Sequence, residues 1–355
     1  MDVWPVDVPL RDAFVIAQGT MHAAQNLFVR VRLAGGATGY GEVAPFTALT
    51  GEHRAASERA CRELAERLLG KSAARYRAVS RQMQEERPGE PAARCGLETA
   101  LLDALCRAAG IPMWAWWGGG ASGPLETDVT IPILPLPRAL ELARQWYGRG
   151  FRAFKLKIGA QIEADVERVL RIAEACPEVR FLLDANQGFT PDEAVAVLHK
   201  LHRLGERVLL FEQPVAKNDI QGLASVRARS TILISADEAV ATVADARRVI
   251  EASAADVINL KITKSGLLET LDIATMARTA GLKLTIGGMV ETRLAMGCSL
   301  AIALGWGDLY ALDLDTPLLL AEDPLVGGYR YEGPRMTVWQ APGLGMEPRA
   351  PASRG

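Results

Sequence analysis

Acidic residues and lysines recur at one kind of place in this chain, the polar end of a short apolar run. FRAFKLKIG carries Lys155 and Lys157, RFLLDANQG carries Asp184 and Asn186, VLLFEQP carries Glu212, and ILISADE carries Asp237 and Glu238. VINLKIT carries Lys261, with Lys264 just beyond it, and LYALDLDT carries Asp313 and Asp315. Asp184, Glu212 and Asp237 end three consecutive runs, and three neighbouring carboxylates stay ionised together only around a cation. No histidine or cysteine ends a run, and an all-oxygen donor set favours Mg²⁺ or Mn²⁺ over zinc. Lys155 and Lys157 are two apart on an extended run, so they share a face while Phe154, Leu156 and Ile158 take the other. Crowding two ammonium groups disfavours their charge, so one of them is expected to fall from about 10.4 towards neutrality and act as a base.

These groups need a scaffold that brings run ends together. From about residue 129 the same unit repeats: VTIPI, the runs above, LKLTIGGM and LYALDLDT, separated by stretches such as IEADVERVLRIAEAC and PDEAVAVLHKLHRL. Apolar residues in those stretches recur at three and four, the period of a helix packed on a sheet. Eight strands alternating with helices imply parallel pairing by right-handed crossovers and a TIM-type (β/α) barrel, whose functional groups collect at the carboxyl ends of the strands. Lys261 then stands across the barrel from the lysine pair. The expected division is a barrel over residues 123–324 and an α+β capping domain over 1–122, completed by 325–355. In the cap, NLFVRVRLAGGATGYGEVAP reads as two strands joined at Gly35-Gly36, followed by the helices ASERACRELAERLLG and CGLETALLDALCRAAG. YRYEGPRMTVW reads as a hairpin returning to the cap, and APASRG as a loose tail.

Composition narrows the function classes. The 355 residues are 49% hydrophobic and 23% charged with a formal net charge of -2, which suits a large soluble core and provides no footprint for nucleic acid. No stretch approaches the roughly 20 apolar residues of a membrane span, and MDVWPVDVPLRDAF has no secretory pattern, so a cytoplasmic protein is expected. Five cysteines without a CxxC pair read as reduced thiols, mostly buried. His22, His53, His199 and His202 fall outside the run ends, and no GxSxG is present, so acid-base work falls to lysine.

KLK at Lys155 to Lys157, DANQGF from Asp184, EQP from Glu212, ADE from Asp237, NLKITKSG around Lys261 and GYGEVAP from Gly39 together resemble the enolase superfamily, in its muconate-lactonising-enzyme-like branch. The resemblance covers nearly the whole chain. It implies one Mg²⁺, replaceable by Mn²⁺, on Asp184, Glu212 and Asp237, binding a substrate carboxylate. Lys157 and Lys261 would meet opposite faces of the α carbon, and Lys155 with the metal would stabilise the enediolate. Asp313 and Asp315 share a face, and in the similar dipeptide epimerases such a DxD holds the substrate ammonium. Their other reading is a cap, by Asp315 and Thr316, of a helix beginning at Pro317. Thr130 matches a position near the substrate.

The resemblance therefore implies a dipeptide epimerase that inverts the α carbon of the C-terminal residue, with a dipeptide as partner in a homo-oligomer. IAQGTMHAAQ carries no cation where relatives acting on Ala-Glu have an arginine, so that residue is expected not to be acidic. Cationic or hydrophobic side chains remain, Glu52 in TALTGEH hinting at the former. The rival readings are o-succinylbenzoate synthase and N-acylamino acid racemase, which lack a use for Asp313 with Asp315, and a catalytically silent barrel acting as a scaffold.

Overall fold

The computed structural model describes residues 1–120 and 123–349. Its N-terminal part is a three-stranded antiparallel sheet, Asp2–Ile16, Gly19–Arg32 and Thr38–Val43, with the second strand in the middle. Leu27, Val29 and Val31 alternate inward along that strand and pack on Leu64, Leu97 and Leu101 of two helices, Arg54–Leu68 and Pro91–Ala109. The GYG of the third strand is explained here: a Cβ at Gly39 would lie 2.2 Å from Ala104 N, and at Gly41 2.0 Å from Gly96 O. Only glycine lets the strand lie this close to the helix.

The expected Gly35-Gly36 turn and both helices are present, but the 15-residue first strand was not read from the sequence. Pro5 and Pro9 argue against a ladder position, because proline has no N–H to donate. They are tolerated because this strand lies at the sheet edge.

From Val129 the chain forms eight parallel strands: Val129–Ile131, Ala153–Lys157, Arg180–Asp184, Val208–Glu212, Leu233–Ala236, Val257–Leu260, Lys283–Ile286 and Ala311–Leu312. They pair in sequence order, and Asp128 N donates to Leu312 O at 2.9 Å across the seam between strands eight and one. Each expected run is a strand. Outward residues such as Phe154, Leu156, Phe181, Leu183 and Phe211 are buried beneath the surrounding helices, which leaves the inward face to the charged set. Two of those helices begin with reciprocal capping boxes, Thr190 with Glu193 and Thr242 with Asp245.

The cap is pinned to the barrel by a buried acid. Glu42 accepts from Thr292 N (2.9 Å), Thr292 Oγ1 (2.7 Å), Ala295 N (3.1 Å) and Asn26 Nδ2 (2.7 Å), at the first turn of the barrel helix Arg293–Trp306. Glu42→Ala strands these donors in a dry interface and is expected to lower stability by about 2–4 kcal/mol, read by urea denaturation.

The C-terminal hairpin pairs Tyr331–Glu332 with Arg335–Met336, and the latter also pairs with Leu125–Glu126. Beyond it Trp114 Nε1 donates to Trp339 O (2.8 Å), Met113 N to Gly343 O (2.8 Å) and Leu344 N to Asp103 Oδ1 (2.6 Å), so the segment meets helices of the N-terminal part. The APASRG tail lies outside the described residues. All five cysteines are buried and unbridged, all four histidines are exposed, and among the described residues no helix is long and apolar enough to cross a membrane.

Candidate active site

Strand register lines up the charged residues. Lys157 pairs with Asp184 and Asp184 with Glu212, while Thr130 pairs with Lys155 one layer deeper. Lys157 Nζ donates to Asp184 Oδ2 at 2.6 Å, with the Phe14 ring centroid 5.7 Å from the nitrogen. Lys155, 1% exposed, reaches Asp313 Oδ2 (2.7 Å), Glu212 Oε1 (2.9 Å) and Asp184 Oδ2 (3.1 Å). On the far side Lys261 Nζ donates to Asp237 Oδ2 at 2.6 Å. The lysines of strands two and six thus face each other across the eight-stranded ring, with the acids of strands three, four and five between them.

At Lys155 the neighbouring acids work against the expected fall in lysine pKa. Burial opposes the charge on Lys155, but Asp313, Glu212 and Asp184 hold its pKa well above the ordinary lysine value, and Asp237 likewise raises Lys261 against its burial. For Lys155 the carboxylates of other strands outweigh the neighbouring lysine, which spacing along one strand does not reveal. Conversely, burial would raise Asp184 and Asp237, yet Lys157 with Lys155, and Lys261 with Lys264, hold them below the usual carboxylate range. Glu212 is different: burial and then Asp184 push it up to about 8.

Three residues absent from the expected catalytic, binding and metal sets fix this geometry. Lys264 Nζ donates to Asp237 Oδ1 (2.7 Å) and Asn259 O (3.0 Å). Asn259 Nδ2 donates to Glu212 Oε1 (2.9 Å). Gln213 Oε1 accepts from Asp237 N and Ala239 N (3.0 Å each), tying the ends of strands four and five, and Gln213 itself sits at φ 34°. A left-handed non-glycine residue directly after a charged strand end is local strain of the kind that accompanies sites. The second lysine of NLKITKSG and the glutamine of EQP were the available signals.

At the barrel seam, Asp315 Oδ2 accepts from Thr130 N at 2.6 Å. Asp315 precedes the helix Thr316–Leu319 but its side chain makes no cap bond there, so the capping explanation falls. Asp128, Asp313 and Asp315 together offer carboxylate oxygens within 4.8 Å of one another, all three residues buried. Burial and Lys155 act oppositely on Asp313, and the lysine wins, lowering it; burial and then Asp313 push Asp315 up to about 7.

Glu52 does not face the site. It is buried with Oε1 accepting from Ala92 N (3.0 Å) at the start of helix Pro91–Ala109, and burial pushes it up to about 7. Its Oε1 serves the helix rather than a substrate cation. The hairpin tip at Ala17-Gln18 does reach the barrel mouth, where Ile133 N donates to Val15 O at 3.0 Å. Around it Phe14, Ile16, Phe46, Leu49, Met289 and Val290 form an apolar cluster.

Comparisons with known proteins match the chain over nearly its whole length. Residues 138–352 match the family model described as enolase C-terminal domain-like, and residues 1–118 the mandelate racemase / muconate lactonizing enzyme N-terminal domain. The chain is 40% identical to an L-Ala-D/L-amino acid epimerase of Populus trichocarpa over 93% of its own length and 79% of the relative's. It is 36% identical to an aromatic dipeptide epimerase of Herpetosiphon aurantiacus over 96% of each chain. The crystal structure of a dipeptide epimerase from Enterococcus faecalis, complexed with Mg and L-Leu-L-Tyr, superposes with a TM-score of 0.93 at 30% identity, covering 98% of both chains. Family models over residues 1–118 and 138–352, together with relatives 30–40% identical over nearly the whole chain, place it in the enolase superfamily, in its mandelate racemase/muconate lactonizing enzyme branch.

Proposed function

We propose that the protein is a dipeptide epimerase inverting the α carbon of the C-terminal residue, and that this residue carries an apolar side chain. The observation that carries the reading is the pair Lys157 and Lys261 on opposite strands of the ring, each 2.6 Å from one of the buried acids between them. Two ammonium/amine groups facing one carbon from opposite sides permit removal of a proton from one face and delivery to the other. Two of the relatives named above are called dipeptide epimerases, and the apolar cluster of Phe14, Ile16, Phe46 and Leu49, beside a hairpin with no cation, suits an apolar side chain.

Asp184, Glu212 and Asp237 suit a divalent cation by their chemistry: they are hard oxygen donors and buried, and burial and then Asp184 suppress the charge on Glu212, while their oxygens do not converge within 4.8 Å as those of Asp128, Asp313 and Asp315 do. These three would hold Mg²⁺, or Mn²⁺ in its place, which when bound supplies positive charge for the substrate carboxylate and draws the acids' charge away from the lysines. Lys157 takes or returns the α proton on one face and Lys261 on the other. Lys155, fully desolvated, holds its ammonium where negative charge develops on the carboxylate. Asp313 and Asp315 receive the substrate ammonium, and Thr130 positions Asp315. In the same reading residues 1–122 with 325–355 form the cap and 123–324 the barrel, though the C-terminal hairpin also pairs beside the first barrel strand.

The test is incubation with Mg²⁺ in D₂O against a library of L,L-dipeptides, following α-proton exchange by mass spectrometry. Exchange of one site in apolar dipeptides supports the reading. No exchange in any dipeptide, by folded and metal-loaded protein, overturns it and turns attention to N-acylated amino acids and o-succinylbenzoate precursors. A companion prediction concerns Asp313→Asn: losing a charge-assisted hydrogen bond should raise the KM of free dipeptides about 10-fold to 100-fold, more than that of N-acylated ones.

A further inference from the structure

Asp128 lies at the seam of the barrel, two residues before Thr130 and on the same inward face. It is 2% exposed, and neither of its carboxylate oxygens has a hydrogen-bond partner among the described residues. A carboxyl group buried without partners is costly, most of all if ionised, and such a group persists where something else supplies the partner.

Its neighbours show what kind of partner. One Asp128 oxygen lies within 4.8 Å of oxygens of both Asp313 and Asp315. Asp313 Oδ2 is taken by Lys155 and Asp315 Oδ2 by Thr130 N, whereas Asp315 Oδ1, like both oxygens of Asp128, is unpartnered. The charged groups facing Asp128 are Asp313, Asp315, Lys155 and Glu212, and after burial the two aspartates dominate in pushing its pKa well above the carboxylate range. The lone cation in that set, Lys155, already serves Asp313, Glu212 and Asp184. Free acceptors therefore outnumber donors at this corner.

We infer that Asp128 is the third wall of the substrate-ammonium site, taking an N–H that Asp313 and Asp315 do not, and so determines specificity for an unsubstituted primary amine. A primary ammonium has three N–H donors in a tetrahedral fan, and three carboxyl groups converge here to accept them. This rests on reading the substrate as a free dipeptide.

The experiment compares wild type with Asp128→Asn, using KM for an exchanging free dipeptide and the inhibition constant of its N-acetyl counterpart. Expected is at least a tenfold rise in KM with the inhibition constant moving less than about twofold, the loss of one charge-assisted contact. An unchanged KM, or a parallel rise in both constants, overturns the inference; the latter is what a purely structural role at the seam would produce. Should the variant not fold, the N-monomethyl dipeptide on wild type decides. It lacks one donor, so its KM should rise at least tenfold, and a rise below twofold overturns the inference. Equilibrium dialysis against Mg²⁺ alone should find one ion per chain; a second ion abolished by Asp128→Asn would assign the three acids to a metal instead. Failure of wild type to exchange any dipeptide is a separate result, which removes the underlying functional reading, whereas an active enzyme indifferent to Asp128→Asn removes only this role.

Discussion

Lys157→Ala and Lys261→Ala are each expected to abolish net inversion, by about 10³-fold or more, through loss of one general acid-base group. The two variants should fail differently. Lys261 alone can still remove a proton from its own face and return one from solvent to that face, and Lys157 alone can do the mirror image. In D₂O, one variant should then wash deuterium into the L,L-dipeptide and the other into its L,D epimer, while wild type labels both. The fold should survive either change, because each acid keeps a second partner: Asp184 retains Lys155 at 3.1 Å and Asp237 retains Lys264 at 2.7 Å. Chiral chromatography with mass spectrometry reads the outcome, and full turnover in both variants would end the two-base mechanism.

Glu212→Gln is expected to cost a similar factor through a different route. Glu212 Oε1 accepts from both Lys155 and Asn259 at 2.9 Å, and a glutamine oxygen can accept from the same two donors. The substitution therefore preserves shape and most hydrogen bonds while removing a unit of charge from the donor set. Mg²⁺ affinity should fall about 100-fold or more, since hard cations depend on carboxylate charge. Activity should fall with it and recover partly at high Mg²⁺; chelation of wild type should abolish activity reversibly. Calorimetric titration of Mg²⁺ checks this, and an unchanged affinity would remove Glu212 from the metal set.

The barrel and its charged ends were legible in the sequence because two periods coincide. An inward residue at a strand end must repeat once per unit, and DAN, EQP and ADE do so at the same phase of successive units. What could not be read is what crosses the ring. Lys155 and Lys157 look like a repelling pair along their strand, yet the groups that set the charge of Lys155 come from strands three, four and eight. Asp128 was invisible for a related reason: it precedes its strand, where an acid is ordinarily a solvated loop residue, and only the closing of the ring buries it beside Asp313 and Asp315. Glu52 erred in the other direction, hinting at a cationic substrate while accepting from the first turn of a buried helix.

The hairpin tip that touches the barrel through Val15 and Ile133 belongs to a different sheet from the residues assigned to proton transfer. If that tip selects the substrate as proposed, natural variation there can reach substrate choice separately from reaction chemistry. On the proposed reading, changes at a position such as Ile16 would alter which side chain is welcomed while the opposed lysines are inherited untouched. A lineage built this way can explore new dipeptides by small steps, each retaining a working catalyst.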